Sequence, residues 1–562
     1  MSKIIIYQLF PRYLGNKCKN PKKDGDLKTN GCGKFNDIDK RTLLSIKELG
    51  ATHLWITGVI EHATKSDYSE FGIAKDHPAI VKGNAGSPYA IKDYFDVDPD
   101  LAVNPLNRME EFSNLLDRCH KYGFKVLIDF VPNHLARNYI SDTAPCGIRD
   151  FGADDRNYHA FNPSNNFYYL PNQKFEPTID LIADSELPYE EFPAKVTGND
   201  CFSASPGIND WYETIKLNYG VDYMMGGHKN FNPIPSTWFK MMDVLTFWIY
   251  KGVDGFRCDM AEMVPVEFWE WAISRIKQNN PDKLFLAEVY NPTLYWEFIN
   301  IGKFDYLYDK VGMYETLRAV IEQKKPASEI SVCWQSVNDI LPHMLYFLEN
   351  HDEQRIASSF FASDPFKAIP GMIIASCLHK NPVLLYNGQE LGEPGMYEEG
   401  FSGVDGRSTI FDYWSLDSFK AWNNNGRWDG GDLKPESLTI RDLYTRILNI
   451  AANEKSIVEG MFFDLMYSNF DNHGFDTEKQ FSFIRKHEDE FIIFIVNFSE
   501  NSKSVYLNIP RHAFECLEIP DGKTWEATEL LTDKIHNCNL CSWQQSIFDV
   551  PALSGIILKF KE

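Results

Sequence analysis

The sequence predicts an α/β fold: a closed (β/α)8 barrel with a domain inserted after its third strand and a C-terminal antiparallel β-sandwich. Eight short apolar runs alternate with stretches of helical period. The alternation stops between residues 134 and 236, after the third run. Beyond about residue 455 it gives way to period-two alternation, which is typical of antiparallel strands.

The eight runs are apolar on both faces, as expected for parallel strands covered by helices. They lie at residues 4–10, 51–58, 124–130, 252–258, 284–289, 304–309, 343–349 and 382–387. Helical stretches are predicted near 40–49, 107–122, 237–251, 265–279, 292–301, 311–324, 364–380 and 439–454. Eight such units close a barrel, and in that fold the chemistry lies on the loops after the strands.

The two interruptions define the predicted domains. Residues 1–133 and 237–454 form the two parts of the barrel, residues 134–236 the inserted domain, and residues 455–562 the C-terminal sandwich. The inserted segment is rich in Asn, Pro, Asp and Tyr, and a structureless loop of that length is not expected inside a compact protein.

The composition limits the partners and the compartment. The 562 residues carry 56 Lys and Arg against 79 Asp and Glu, a net charge of −23, which disfavours nucleic acid and anionic membranes as partners. No apolar run reaches the roughly 18 residues of a membrane span. The N-terminal run is too short for a signal peptide, so we expect a cytoplasmic protein. Aromatic residues make up 14% of the chain and suit sugar rings, although most are expected in the core.

Eleven cysteines at irregular spacing do not indicate a disulfide framework. Cys538 and Cys541 form one CxxC, with His536 and Cys516 nearby in sequence, which is compatible with half of a zinc site. A single CxxC is a weak signal, and structural thiols are the favoured interpretation.

Three carboxylates stand at or just after the ends of predicted strands. Asp259 follows the fourth run, Glu288 lies in the fifth and Asp352 follows the seventh. Taken singly, an acidic residue at a strand end is more often a cap or a solvated loop residue. Together the three carboxylates converge on one barrel face. Asp259 and Glu288 end neighbouring strands, and such a pair suits glycosidic bond cleavage, in which one carboxylate attacks and the other protonates the leaving oxygen. Arg257 shares a strand face with Asp259 and is expected to keep it ionised.

Four strand-end motifs occur together in the expected order. They are DFVPNH at 129–134, GFRCD at 255–259, AEV at 287–289 and ENHD at 349–352. On these motifs nearly the whole chain resembles the α-amylase clan, glycoside hydrolase family 13. The resemblance implies that Asp259 is the catalytic nucleophile, Glu288 the general acid/base and Asp352 the stabiliser of the transition state. It also implies a retaining mechanism by double displacement.

The same resemblance suggests further binding residues. Arg257 matches the arginine that orients the nucleophile, and His134 and His351 match histidines that bind hydroxyls of the sugar at the cleaved position. Tyr89 matches the tyrosine that stacks on that sugar. The inserted domain resembles the family's domain B, the C-terminal sandwich its domain C, and residues 386–390 its eighth-strand segment.

The chain departs from many α-amylases after the nucleophile. Glu262 and Met263 stand where Lys-His supplies acceptor contacts and a calcium-binding carbonyl, whereas Asn133, a calcium ligand in the family, is retained. Calcium bound at Asn133 is therefore one open expectation, and no other cofactor is expected. Residues 216–218, Lys-Leu-Asn, resemble the neopullulanase and cyclomaltodextrinase branch, which usually carries an extra N-terminal domain, so the subfamily stays open.

Three functions remain as alternatives. The first is hydrolysis of α-1,4-glucosidic bonds in maltooligosaccharides or starch-type glucans. The second is transfer of a glucosyl or maltosyl unit to another acceptor through the same covalent intermediate. The third, a non-catalytic amylase-like binding protein, is disfavoured because the three carboxylates and Arg257 are all present. The expected partner is an α-glucan oligosaccharide, and the oligomeric state is not predicted.

Overall fold

The computed structural model of the protein describes residues 3–178 and 188–561. Its centre is a closed barrel of eight parallel strands, each paired with its neighbours in chain order, with the first strand also paired to the eighth. The strands are Ile5–Leu9, His53–Ile56, Lys125–Phe130, Gly255–Cys258, Leu284–Ala287, Tyr306–Tyr308, Met344–Phe347 and Val383–Tyr386. All eight lie within the predicted runs, so the barrel is confirmed.

Alternate residues of the strands pack into two layers. Ile6, Leu127 and Leu384 belong to a small apolar cluster inside the barrel, whereas their neighbours, such as Ile5 and Ile128, join the large cluster under the outer helices. This is the period-two geometry of a strand covered on both sides, and it explains why the runs are continuously apolar.

The outer layer follows the predicted helices with local differences. The main helices are Lys40–Glu48, Arg108–Lys121, Ser236–Lys251, Val266–Asn279, Tyr295–Asn300, Glu315–Ile321, Glu329–Ser336, Ile369–Cys377 and Pro435–Asn453. Glu329–Ser336 was not predicted. The stretch predicted at 364–380 begins as the 3-10 turn Pro365–Ala368, and the last helix begins four residues before position 439. Both elements have proline in their first turn, where its missing N–H costs nothing.

A hairpin that the sequence did not predict follows the second strand. Ile60–His62 pairs with Ile91–Val97 in antiparallel register with irregularities. The loop between its strands carries Tyr89, and the hairpin turns that residue back over the open end of the barrel. The signal was missed because Glu61 and His62 are polar yet buried, which breaks the apolar pattern of a strand.

The inserted region between the third and fourth strands is held by short antiparallel pairs. His134–Ala136 pairs with Thr214–Lys216, and Tyr169–Leu170 with Ala194–Lys195. A separate apolar cluster fills its interior; its members include Tyr168, Leu170, Phe175, Val196 and Tyr212. Residues 179–187 of the predicted domain lie outside the described residues. The domain boundaries themselves remain a prediction.

The C-terminal region is antiparallel, as predicted. Its six-stranded sheet runs, in spatial order, through Met461–Asp464, Gln480–His487, Glu490–Asn497, Ser554–Lys561, Lys523–Glu529 and Lys534–Leu540. A second sheet pairs Lys503–Leu507 with Ser546–Val550. The large sheet packs on helix Ile369–Cys377 of the barrel. Arg485, which is buried in that sheet, donates to the carbonyl oxygens of Leu378, Ser456, Ile457 and Gly460.

Two further predictions concern membrane-spanning helices and the cysteines. Among the described residues no helix is both long and apolar enough to cross a membrane. The cysteines of this part of the chain are all free thiols, and Cys538 and Cys541 are buried. Neither belongs to a group of three potential metal ligands within residues 3–178 and 188–561.

Candidate active site

The ends of the fourth and fifth strands place Asp259 and Glu288 next to each other. Cys258 pairs with Ala287 across the two strands. The Glu288 N–H donates to the Cys258 carbonyl at 3.1 Å, and the Asp259 N–H donates to the Phe130 carbonyl at 2.9 Å. Both backbones therefore continue the barrel ladder up to the carboxylates, which fixes the side chains on rigid strand ends.

Arg257 joins the two carboxylates. Its Nη1 donates to Asp259 Oδ1 at 2.6 Å, and its Nη2 lies 2.8 Å from Glu288 Oε1. The guanidinium is fully buried and lies 5.3 Å and 5.7 Å from the ring centres of Trp55 and Tyr308. Aromatic faces stabilise a cation that water does not reach. One planar guanidinium thus sets the relative position of both carboxylates.

The protonation of Asp259 reflects opposing effects. Burial raises the pKa of Asp259, the charge of Arg257 lowers it, and the neighbouring Glu288 carboxylate raises it again, with a net pKa well above the usual range. The sequence predicted only the influence of Arg257. Desolvation outweighs that charge in the free enzyme because the Asp259 carboxylate is buried.

Glu288 accepts hydrogen bonds at both oxygens. The Met260 N–H donates to Oε2 at 2.8 Å and the Tyr290 hydroxyl to Oε1 at 2.5 Å. Met260 adopts a left-handed backbone, with φ of 41°, and this turn aims its N–H at the carboxylate. Tyr290 was not singled out in the sequence, although its place two residues after Glu288 was the available signal.

Asp352 belongs to a chain of polar contacts on the opposite wall. Gln8 Nε2 lies 2.8 Å from His351 Nδ1. The other ring nitrogen, Nε2, lies 3.0 Å from Asp352 Oδ2 and 2.6 Å from the Tyr89 hydroxyl. Burial raises the pKa of Asp352, but the contact with His351 outweighs it and lowers that pKa to about 2.

Tyr89 and His351 also stack. Their ring centres are 5.3 Å apart with an interplanar angle of 24°. The Arg257 guanidinium lies 5.3 Å from the centre of the Tyr89 ring. These contacts hold the tyrosine over the strand ends, where it forms a flat apolar wall.

His134 lies at the start of the inserted region. Burial, Lys216 and Lys82 lower the pKa of His134 to about 3, so its imidazole is neutral over the working range of an enzyme. Asn133 Nδ2 lies 3.1 Å from His134 Nδ1. An amide N–H donates to an unprotonated nitrogen, which leaves the His134 proton on Nε2.

These residues surround one cavity of about 390 Å³, within the range of small-ligand sites. Six of the predicted site residues line it, namely Tyr89, His134, Asp259, Glu288, His351 and Asp352. Arg257 lies beneath the two carboxylates. The sequence did not single out several other lining residues, among them Lys82, Trp211, Glu213, Tyr290, Lys310 and Phe411. Most come from loops and from the inserted region, which carry no periodic pattern.

The surroundings of Asn133 do not fit a calcium ion. Calcium takes six to eight oxygen ligands, but Asn133 Oδ1 accepts a hydrogen bond from the Lys216 ammonium at 2.8 Å. The same Lys216 Nζ lies 2.5 Å from Asp200 Oδ1. An ammonium group thus occupies the space between these two oxygens.

The two residues that replace Lys-His have contacts of their own. Glu262 Oε2 accepts from the backbone N–H groups of Tyr290 and Asn291 at 3.0 Å and 2.9 Å. The carboxylate therefore shapes the loop after the fifth strand, next to Glu288, rather than presenting a cation to the cleft. Met263 ends the short 3-10 turn Ala261–Met263.

A closed parallel barrel with paired carboxylates at its strand ends defines a glycoside hydrolase of the barrel class. The family model for the α-amylase catalytic domain matches residues 19–455. The chain belongs to the α-amylase family.

Relatives of known function are distant. Alpha-amylase 3 of Dictyoglomus thermophilum is 24% identical over 392 residues, which cover 66% of this chain and 68% of that protein. An α-1,4-glucan:maltose-1-phosphate maltosyltransferase of Picrophilus torridus is 24% identical over 289 residues. That match covers half of this chain and about a third, 32%, of the relative's length.

Solved structures share the fold over the full length. A maltogenic α-amylase from Thermotoga neapolitana superposes with a TM-score of 0.63 at 20% identity, covering 100% of this chain and 99% of its own. An α-amylase from Geobacillus thermoleovorans in complex with acarbose gives 0.64 at 18% identity, covering 100% and 98%. At these identities the similarity establishes the fold alone.

Proposed function

We propose that the protein is a retaining α-glycosidase that hydrolyses α-1,4-glucosidic bonds of maltooligosaccharides or starch-type glucans. The observation that carries this proposal is the attachment of Asp259 and Glu288 to the single guanidinium of Arg257 in the wall of one cavity. Retaining glycosidases need two carboxylates close enough that one reaches the anomeric carbon directly while the other reaches the leaving oxygen.

In the first step Asp259 attacks the anomeric carbon, and Glu288 donates its proton to the departing glycosidic oxygen. The bond from carbon to that oxygen breaks as the ester to Asp259 forms. Asp259 must be ionised for this step, and Arg257 at 2.6 Å favours that form once substrate has displaced water. In the second step Glu288 removes a proton from water, the water attacks the same carbon, and Asp259 leaves.

Asp352 stabilises the transition state in this proposal. Its low pKa, about 2, keeps it anionic at any pH at which the enzyme works. A fixed anion that accepts from ring hydroxyls stabilises a sugar that gains positive charge more than it stabilises the ground state. Tyr89 covers one face of that sugar, and His351 and His134 line the same cavity beside its hydroxyl groups.

The nucleophile variant tests the proposal. Asp259→Asn should lower kcat on maltoheptaose by at least about a thousandfold, because the covalent step is lost. Glu270→Gln, an exposed carboxylate on the helix after the fourth strand, is the matched control and should retain the wild-type rate. Wild-type turnover by Asp259→Asn, or no release of reducing sugar by the wild type, would contradict the proposal. The second result would favour a binding protein.

Transfer to an acceptor other than water is the second candidate. The similarity to the maltosyltransferase of Picrophilus torridus over half of this chain is the specific reason to test it. Maltoheptaose should be incubated alone, with maltose and with inorganic phosphate, and the products separated by chromatography. Hydrolysis predicts the same shorter oligosaccharides in all three, whereas transfer predicts products longer than maltoheptaose, or phosphorylated products when phosphate is present.

A further inference from the structure

Lys216 places a buried positive charge between the barrel and the inserted region. It pairs with His134 across the short antiparallel sheet that begins this region, and only 1% of its surface is exposed. Its Nζ lies 2.8 Å from Asn133 Oδ1 and 2.5 Å from Asp200 Oδ1, and 5.4 Å from the centre of the Tyr223 ring. A carboxylate, an amide oxygen and an aromatic face together stabilise one buried monovalent cation.

The orientation of Asn133 is fixed from both sides. Its Nδ2 donates to the Gly198 carbonyl at 2.8 Å and contacts His134 Nδ1, so its Oδ1 is the atom turned toward Lys216. The Asn133 carbonyl also accepts from the Leu217 N–H at 2.9 Å. The end of the third barrel strand is thereby joined to two separate segments of the inserted region.

We propose that Lys216 is a built-in cation that replaces a structural Ca²⁺ at this junction. The ammonium holds Asn133 and Asp200 together and so positions His134 through the amide of Asn133. A divalent ion has no room while the ammonium is present, and a single carboxylate does not balance both charges. Lys216 is therefore a positioning residue, and the inference is independent of which reaction the enzyme catalyses.

The wild-type protein gives the first test. Purified after dialysis against EDTA, it should hold fewer than about 0.1 calcium ions per chain by elemental analysis. Its melting temperature should be the same, to within about 1 °C, in EDTA and in millimolar CaCl₂, since a ligand that does not bind the folded state does not stabilise it. A bound calcium near one per chain, or a melting temperature that falls in EDTA, would overturn the proposal without need of any variant.

The variant Lys216→Ala gives the second test. It opens a space between the Asn133 and Asp200 oxygens. In EDTA the variant should therefore melt at a lower temperature than the wild type, and CaCl₂ or methylammonium chloride should restore part of the difference. Lys82→Met is the matched control, because Lys82 is also buried against a carboxylate, Glu213 at 3.0 Å. The control should lose stability and regain none with either cation, since Glu213 is the one carboxylate that pairs with Lys82 among the described residues.

The two sets of outcomes decide the inference. A folded Lys216→Ala protein that responds to neither cation would refute the idea that Lys216 fills a cation site, even if the wild type is free of calcium. If Lys216→Ala does not fold, the metal content and EDTA response of the wild type remain decisive. If the wild type has the expected calcium content and the same melting temperature in EDTA but releases no reducing sugar, the result counts against the proposed hydrolysis and not against this inference.

Discussion

The Tyr290 hydroxyl donates a 2.5 Å hydrogen bond to Glu288 Oε1. The other Glu288 oxygen accepts from the Met260 N–H, and Arg257 approaches the first. For the proposed acid step, Glu288 must carry a proton and turn it toward the leaving oxygen, so Tyr290 governs how this group is held before and after proton transfer.

Tyr290→Phe removes that hydrogen bond and keeps the ring. We expect kcat on maltotriose to fall roughly 10- to 100-fold, because a hydrogen bond to a charged group contributes about 1.5–3 kcal/mol. The measurement compares this substrate with an aryl maltoside that has a good leaving group and needs little protonation. The variant should be much less impaired on the aryl maltoside. An equal loss on both substrates would indicate that Tyr290 only maintains the fold.

The barrel and the three carboxylates could be predicted because both depend on local patterns. A strand buried on both faces is continuously apolar, and a carboxylate that follows it lies at the carboxyl end of the barrel. The contacts of Tyr290 and Lys216 could not be predicted, since each depends on a loop or an inserted segment meeting a strand end that is distant in sequence. Trp211 also lines the cavity, and it comes from an inserted segment without periodicity. The unpredicted hairpin after the second strand was hidden by its buried polar residues.

The roles of Asp259 and Glu288 predict opposite results with azide. In Glu288→Ala the glycosyl ester at Asp259 still forms from an activated substrate, and azide attacks it in place of water to give the α-glycosyl azide. In Asp259→Ala azide takes the place of the nucleophile and gives the β-glycosyl azide. Proton NMR of the products distinguishes the two anomers. The β-azide from Glu288→Ala and the α-azide from Asp259→Ala would show that the two roles are exchanged.

The pKa of Asp259 predicts the acidic side of the pH profile. The nucleophile works when ionised, so activity rises as the pH increases through its pKa in the free enzyme. Because burial raises that pKa, the acidic limb of kcat/KM should lie above the ordinary carboxylate range. Arg257→Met removes the charge that opposes this shift and should move the limb to still higher pH. Arg275→Met, an exposed arginine on the following helix, is the control, and coincident limbs for all three proteins would refute the explanation.

Arg485 anchors the C-terminal sheet to the barrel. Its guanidinium is buried and donates to four carbonyl oxygens from two segments, those of Leu378, Ser456, Ile457 and Gly460. Arg485→Met leaves these acceptors without a donor, and a buried unsatisfied polar group costs about 1–3 kcal/mol. We expect the free energy of unfolding, measured by denaturant titration, to fall by roughly 3 kcal/mol or more.

The site lies at the other end of the barrel from this anchor, so KM below the melting temperature should be unchanged in Arg485→Met. Arg511→Met provides the control, because Arg511 is exposed and pairs with Glu515 one turn along its own helix. An exposed pair of this kind contributes about 0–1 kcal/mol, so the control should unfold like the wild type. Equal stability of the two variants would mean that the four carbonyl groups find water in place of Arg485, and that the sheet is held by its other contacts, such as those with helix Ile369–Cys377.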